Sequence, residues 1–383
     1  MILLIGSQIA RSYYRPELDA VRFLAFLLVF LSHAFPGDPG GRTLPILQGF
    51  APIYFAAVNA SRSGLCLFFT LSAFLISELL LRERKATGGI EVKKFYIRRI
   101  LRIWPLYYLA LALGALSVLL PGGQPSYALN VGWFAIFMGT WFLVQHGSVP
   151  DLIYHLWSIS VEEQFYLFAP WIIKYLNRKS LYGLCLILVI TANAVLFHLG
   201  RIQANDDAIW FNSFVQFECF AAGILLCLAL RGSLPQFKVW QRLLLLACGW
   251  LCWFLTSFWL DYPSYSASSN PGSWHLIGAF ALASLGSILT LLAFLGLNPK
   301  LIPRWVVYLG RISFGLYVFH IAALRLVFGI IPRTTFYHVP MFLLRTFVAL
   351  GLTVLVAALC YPFFETPFLK IKKRHAIIES QPI

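Results

Sequence analysis

Arg22 and His33 stand eleven residues apart, and every residue between them is apolar except Ser32. An imidazole can take a proton from a hydroxyl or carry an acyl group, and a guanidinium can neutralise negative charge that develops during such a transfer. At roughly 100° per residue the spacing is about three helical turns, so the two side chains share one face. A rise of 1.5 Å per residue puts them about 16 Å apart along the axis. Ionisable groups inside a membrane helix default to functional roles, which makes the pair a catalytic candidate. An interfacial arginine with a histidine capping the far end is the plainer reading.

Other polar side chains recur in apolar surroundings. In HLWSISVEEQFYLFAPW, Ser158, Glu162 and Tyr166 share one face at i, i+4 spacing, and Glu162 falls near the depth of His33, where a carboxylate could orient an imidazole. Glu163, about 100° around the helix, could equally face water. In KKFYIRRILRIWPLYY, Arg98, Arg99 and Arg102 lie three and four residues apart at a helix start, a pattern that suits phosphate, whether of a lipid headgroup or of a nucleotide. Ser72 lies in a small-residue patch with Ala73. Alternatively its hydroxyl bonds the carbonyl four residues back. His320 fits either a substrate contact or a hydrogen-bonded packing residue. Ser72, Tyr166 and His320 are the candidate substrate contacts.

The elements that must position these groups are membrane helices. Of 383 residues 60% are hydrophobic and 12% charged, which excludes an ordinary soluble domain. The expected architecture is an all-α polytopic membrane protein, a single domain over 1–383. Ten spans can be drawn at about 18–36, 62–82, 99–120, 155–176, 181–200, 212–230, 240–260, 274–297, 312–331 and 341–364. With the N-terminus inside, the inner segments collect 24 of the 30 Lys and Arg, so both termini are expected in the cytoplasm. The apolar run at 130–145 would break that scheme if it crossed, and is expected to be re-entrant or interfacial. The tail, 366–383, is expected to be short, basic and bound at the membrane surface among lipid headgroups. MILLIGSQIA lacks a basic region ahead of its apolar run, so no cleaved signal is expected. A net charge of +15, spread in this way, serves topology and does not indicate nucleic acid. Seven cysteines show no CxxC pair or Cys/His cluster, and no metal site is expected.

These stretches together resemble the acyltransferase 3 family of integral membrane O-acyltransferases. Arg22 and His33 match its Arg-x10-His, and FFTLSAFLI is similar to its FFxxSGFLI. Arg99 and Arg102 fall on its Arg-x-x-Arg, and Glu162 on the first glutamate of its WSLxVEEQFYL segment. SFGLYVFH is similar to its SYxxYLxH, and FFETP to its closing E-x-P. Ala73 stands where the family usually has glycine, and Phe314 where it usually has tyrosine. The resemblance implies a ten-helix bundle that moves an acyl group, usually acetyl, from acyl-CoA to a carbohydrate hydroxyl, in the inner membrane of a bacterium. It implies that Arg99 and Arg102, helped by Arg98, hold the donor phosphates. His33 then acts as base or acyl carrier, Glu162 orients it, and Arg22 contacts the donor or stabilises developing charge. Some relatives add a C-terminal esterase-like domain, which this chain is expected to lack. A carrier or flippase for an anionic or lipid-linked substrate is the competing class.

Overall fold

The computed structural model describes residues 13–35, 50–117, 126–147, 152–262, 272–331 and 339–378, and among these residues all regular structure is helical. Residues 1–12, with the apolar N-terminal run, and the last residues of the tail lie outside the described residues. The helices are α1 (Pro16–Ala34), α2 (Ala51–Ala60), α3 (Gly64–Thr87), α4 (Val92–Ser117), α5 (Ser126–Ala135), α6 (Gly139–His146), α7 (Trp157–Tyr175) and α8 (Arg178–Arg201). They continue as α9 (Asp206–Trp210), α10 (Ser213–Leu230), α11 (Val239–Phe258), α12 (Ser273–Phe294), α13 (Arg304–Arg311), α14 (Ser313–Ile330), α15 (Val339–Cys360) and α16 (Thr366–Arg374).

Eight helical stretches among the described residues are long and apolar enough to cross a membrane. They coincide with eight of the ten expected spans. The two expected spans that fall short by composition are α1 and α7, each 19 residues and so about 28 Å long. Their length suffices, and what excludes them is charge: Glu17, Asp19 and Arg22 in α1, and Glu162, Glu163 and Lys174 in α7. The apolar run at 130–145 is divided between α5 and α6, which break at Phe137, whose φ is 58°. Neither half is long enough to span a 30 Å hydrocarbon layer.

Two stretches form the centre. The spans that contain α3 and α10 are each 72% buried, whereas those of α4, α8 and α11 are 22–28% buried and turn Leu186, Ile190, Leu243 and Leu251 outward. An outer surface of that kind suits hydrocarbon and not water. The central pair packs closely because of small residues: a Cβ on Gly223 of α10 would lie 2.2 Å from the Thr70 carbonyl oxygen and 2.8 Å from the Ala73 Cβ. Thr70 Oγ1 donates to the Cys219 carbonyl oxygen at 3.2 Å across the same interface. The small-residue patch read around Ala73 is therefore a helix contact.

One end of the bundle is basic, and its cations close helix ends. Arg84 donates to the carbonyls of Ile173 and Leu176 at 2.6 and 2.8 Å, Arg178 to that of Leu228, and Arg242 to those of Ala293 and Leu295 at 2.6 and 2.9 Å. Each satisfies carbonyls that the last turn of a helix leaves without an intrahelical partner. In apolar surroundings such a bond replaces the water that the carbonyl would otherwise need. Basic residues that look alike as topology signals thus also hold the bundle together at that end.

Candidate functional site

The site begins at the basic end, in a cavity of ≈ 130 Å³. α1 supplies Arg22, α3 supplies Ser72, α4 supplies Arg99 and Arg102, and α7 supplies Ser158, Glu162 and Tyr166. α14 closes it with Ser313, Phe314 and Tyr317, and Lys372 enters from α16. Four cations thus face one lining carboxylate. Other acids lie close by: Asp19 pairs with Arg22 itself, Glu365 acts on Arg102, and Glu163 accepts from Trp104 Nε1 at 3.2 Å. Ser72 and Tyr166 join hydroxyls, and Glu162 faces that pair with Arg99 and Arg102 acting on it. Arg99 lies 5.4 Å from the Tyr166 ring centroid. Guanidiniums gathered in a partly enclosed space can grip phosphate or carboxylate oxygens in a fork.

Beyond it lies a group of three histidines. His33, at the end of α1, has its ring centroid 5.1 Å from that of His320, which lies 5.0 Å from that of His155. Backbone carbonyls set the ring protons. His33 Nδ1 lies 2.8 Å from the Val29 carbonyl oxygen, His320 Nδ1 lies 2.6 Å from that of Tyr317, and His155 Nε2 lies 3.2 Å from that of Val318. A carbonyl only accepts, so in each neutral ring that nitrogen carries the hydrogen and the other keeps its lone pair. The lone pair of His320 Nε2 then faces His33 Nδ1 at 3.4 Å. Among the described residues no partner meets His33 Nε2, so its lone pair is open there, on a ring that is exposed, unlike those of His155 and His320. It is the nitrogen that can take a proton or an acyl group. Among the described residues no three His, Cys, Asp or Glu side chains converge to hold a metal.

Ser158 and Tyr317 join the two rooms. Tyr317 Oη donates to the His155 carbonyl oxygen at 2.6 Å, and with its hydrogen used there it accepts from Ser158 Oγ at 2.6 Å. Both residues line the cavity, and the Tyr317 ring lies 5.5 Å from the rings of both His155 and His320.

The expected His33–Glu162 pair is corrected here. Among the described residues the contacts of the imidazole come from Val29, His320 and Tyr154, those of the carboxylate from Ser72 and Tyr166, and none joins the two. Depth along a helix, which the spacing gave, does not determine which face meets which. Arg98, expected beside Arg99 and Arg102, turns instead to Glu83 Oε2 and the His375 carbonyl oxygen, each at 3.0 Å. His320 is fully buried behind His33. The sequence reading missed His155, Tyr317 and Lys372. Tyr317 had a signal, being one turn before His320 on the same face; His155 sits ahead of α7 on the 3₁₀ turn Tyr154–Leu156, where helical phase gives no guide.

Comparison with known proteins adds an independent line. A model of the acyltransferase domain matches residues 15–362. A putative O-acetyltransferase of Staphylococcus aureus strain MSSA476 is 26% identical over 93% of this chain and 58% of its own length. The peptidoglycan O-acetyltransferase OatA of Listeria monocytogenes is 23% identical over 93% of this chain and 56% of its own. The O-acetyltransferase OatA of S. aureus strain NCTC 8325 is 23% identical over 80% and 52%. The chain spans a little over half the length of these relatives, and no solved structure matches it. The matched region runs from the start of α1 through every element that carries the histidines, the three arginines and Glu162, and the chain belongs to this acyltransferase family.

Proposed function

We propose that this chain is a membrane O-acyltransferase with ten crossing helices that moves an acyl group, most simply acetyl, from a coenzyme A thioester to a carbohydrate hydroxyl. One observation carries the reading: a cavity lined by Arg22, Arg99 and Arg102 ends at Ser158 and Tyr317, which touch the histidine cluster. Such a room fits phosphates at its basic end and an extended arm that reaches toward His33. Ser72 and Tyr166, midway, offer hydroxyls to the polar groups of that arm. Glu162 holds those hydroxyls and moderates the arginines.

His33 Nε2 takes the proton of the acceptor hydroxyl, whose oxygen attacks the thioester carbonyl. The carbon–sulfur bond breaks, and the thiolate leaves with the proton that the imidazole returns. In the covalent variant Nε2 itself attacks the thioester carbon, the carbon–sulfur bond breaks and the thiolate leaves; the acceptor oxygen then attacks the acyl-imidazolium, its proton passes to the thiolate, and Nε2 is released with its lone pair. The relatives named for O-acetylation, one of them for peptidoglycan, support a carbohydrate acceptor, and the basic end of the bundle supports a cytoplasmic donor side in a bacterial plasma membrane. The test is thioester chemistry by purified protein in nanodiscs. Free thiol should be released from acetyl-CoA only when a glycan acceptor is present, with acetyl appearing on the glycan by mass spectrometry. Binding of a glycan without thiol release would indicate transport and end the enzymatic reading.

A further inference from the structure

The last helix lies beyond the region the family model matches, which ends at residue 362. α15 ends at Cys360, and a π-helical turn, Tyr361–Glu365, redirects the chain. π turns widen the backbone and often mark functional positions. Here the turn opens on Pro362, Pro367 follows it, and Thr366 Oγ1 closes it on the Tyr361 carbonyl oxygen at 2.9 Å. α16 then packs back on α4, the helix that carries Arg99 and Arg102.

Its basic run, KIKKR, does not all face one way. Lys370, Lys373 and Arg374 are exposed, whereas Leu369 is buried and Lys372, three residues on and on the same face, lines the cavity. The charged groups that act most strongly on Lys372 are Arg102, Arg99, Arg22 and Arg98, and among the described residues no ion pair holds its ammonium. Asp19 pairs with Arg22, Glu83 with Arg98, and Glu365 acts on Arg102, so those guanidiniums have carboxylates of their own, whereas an ammonium turned toward them instead of toward water favours a further anion at its own position. The far end of the helix is fastened: Arg98 bridges Glu83 and the carbonyl of His375, just past α16. A wide turn at one end and a polar latch at the other frame one inward lysine.

We infer that α16 is a cover over the donor cavity and that Lys372 is its anion-binding residue, completing with Arg22, Arg99 and Arg102 a site for the phosphates of the nucleotide thioester. The inference rests on the donor reading above. Removing a cationic contact to a phosphate should weaken binding about 10- to 100-fold.

The experiment is calorimetric titration of coenzyme A into the purified full chain in phosphatidylcholine nanodiscs, for wild type, Arg99→Ala, Lys372→Ala, Lys372→Arg and Lys373→Ala. Lys372→Ala should lose affinity by that factor, Lys372→Arg should stay within about threefold of wild type, and Lys373→Ala, on the exposed face, should be unchanged. Wild type that does not bind coenzyme A overturns the donor reading and this inference with it. If wild type binds, Arg99→Ala weakens and Lys372→Ala does not, the donor reading stands and the cover is refuted. Equal losses in Lys372→Ala and Lys373→Ala would mean diffuse surface charge, which also refutes it. Repeating the titration with phosphatidylglycerol added separates a lipid source: if Lys372 serves headgroup phosphate, its loss leaves coenzyme A affinity unchanged in both bilayers, and the inference falls. Size-exclusion profiles establish that each variant is folded, and Lys372→Arg keeps the test decisive if the alanine variant is not.

Discussion

Replacing His33 by alanine should separate chemistry from folding. Among the described residues its ring makes one bond of normal length, to the Val29 carbonyl at 2.8 Å, and a longer approach to His320 at 3.4 Å. Val29 is four residues back on the same helix, so its carbonyl already has a backbone partner, and losing the imidazole costs about 1 kcal/mol of stability. The effect on turnover is much larger: removal of a general base costs about 10²–10⁴ in rate, and removal of a covalent carrier closes the route. His320→Ala loses only the acceptor at 3.4 Å, while Val29 continues to fix the His33 proton, so its rate should fall less than about tenfold. Turnover is followed by thiol release and folding by thermal unfolding in nanodiscs. Incubation with radiolabelled acetyl-CoA without acceptor distinguishes the routes, since label on wild type that is absent from His33→Ala marks an acyl-imidazole. A folded His33→Ala enzyme with near-normal turnover, or a folded His320→Ala enzyme more impaired than His33→Ala, would refute the assignment of Nε2.

Arg99→Ala and Arg102→Ala should raise KM for acetyl-CoA by about tenfold or more with a smaller change in kcat, measured by thiol release; unaltered KM in both would place the donor elsewhere. Glu162→Gln removes the only carboxylate among the lining residues and should tighten coenzyme A binding about fivefold by calorimetry. Weaker binding would show that the carboxylate holds the arginines in position instead of opposing the phosphates. Gly223→Val adds volume where even a Cβ meets the Thr70 carbonyl at 2.2 Å, so thermal unfolding should reveal a loss of about 1–3 kcal/mol or more. Cysteines introduced at the exposed positions Ser180 and Gln203, at opposite ends of α8, should react with impermeant reagent from opposite sides of the membrane, Gln203 from outside. Labelling of both from one side would remove α8 from the crossing helices.

The helical architecture was legible because hydrocarbon permits few alternatives, and an apolar run of about 20 residues is a strong signal. α1 and α7, which the stricter charge limit passes over, were drawn with the others as apolar runs of spanning length. Ser158, Glu162 and Tyr166 do line one cavity, as i, i+4 placement implied. What spacing could not supply was rotation between helices: Glu162 and His33 lie on separate helices, and the faces they present meet different neighbours. Nor could it single out Lys372 within KIKKR, because the direction of that helix depends on the π turn before it, and all four cations look alike in sequence. Arg98 and Arg99 are adjacent and chemically equal, yet about 100° of rotation sends one to Glu83 and the other into the cavity.

On the proposed reading, the separation of the arginine-lined cavity from the histidine group follows from what each must do away from water. Phosphates need several fixed positive charges, whereas an imidazole that must take a proton is served by few of them, and those that act on the histidines are Arg62 and Arg325. About 16 Å of α1 separates Arg22 from His33 and meets both requirements on one helix. Among the described residues the partners of the His33 ring are the Val29 carbonyl and the rings of His320 and Tyr154, and no carboxylate bonds it. On the proposed reading that suits a proton which is only passed on: it leaves the acceptor oxygen, rests on Nε2, and departs on the sulfur of the leaving thiol. No net charge is stranded in the low-dielectric interior at the end of the cycle, where it would be costly. Val29 and the buried His320 then act as a fixed cradle for Nδ1–H, which keeps the lone pair of Nε2 directed at the reacting groups instead of at the protein.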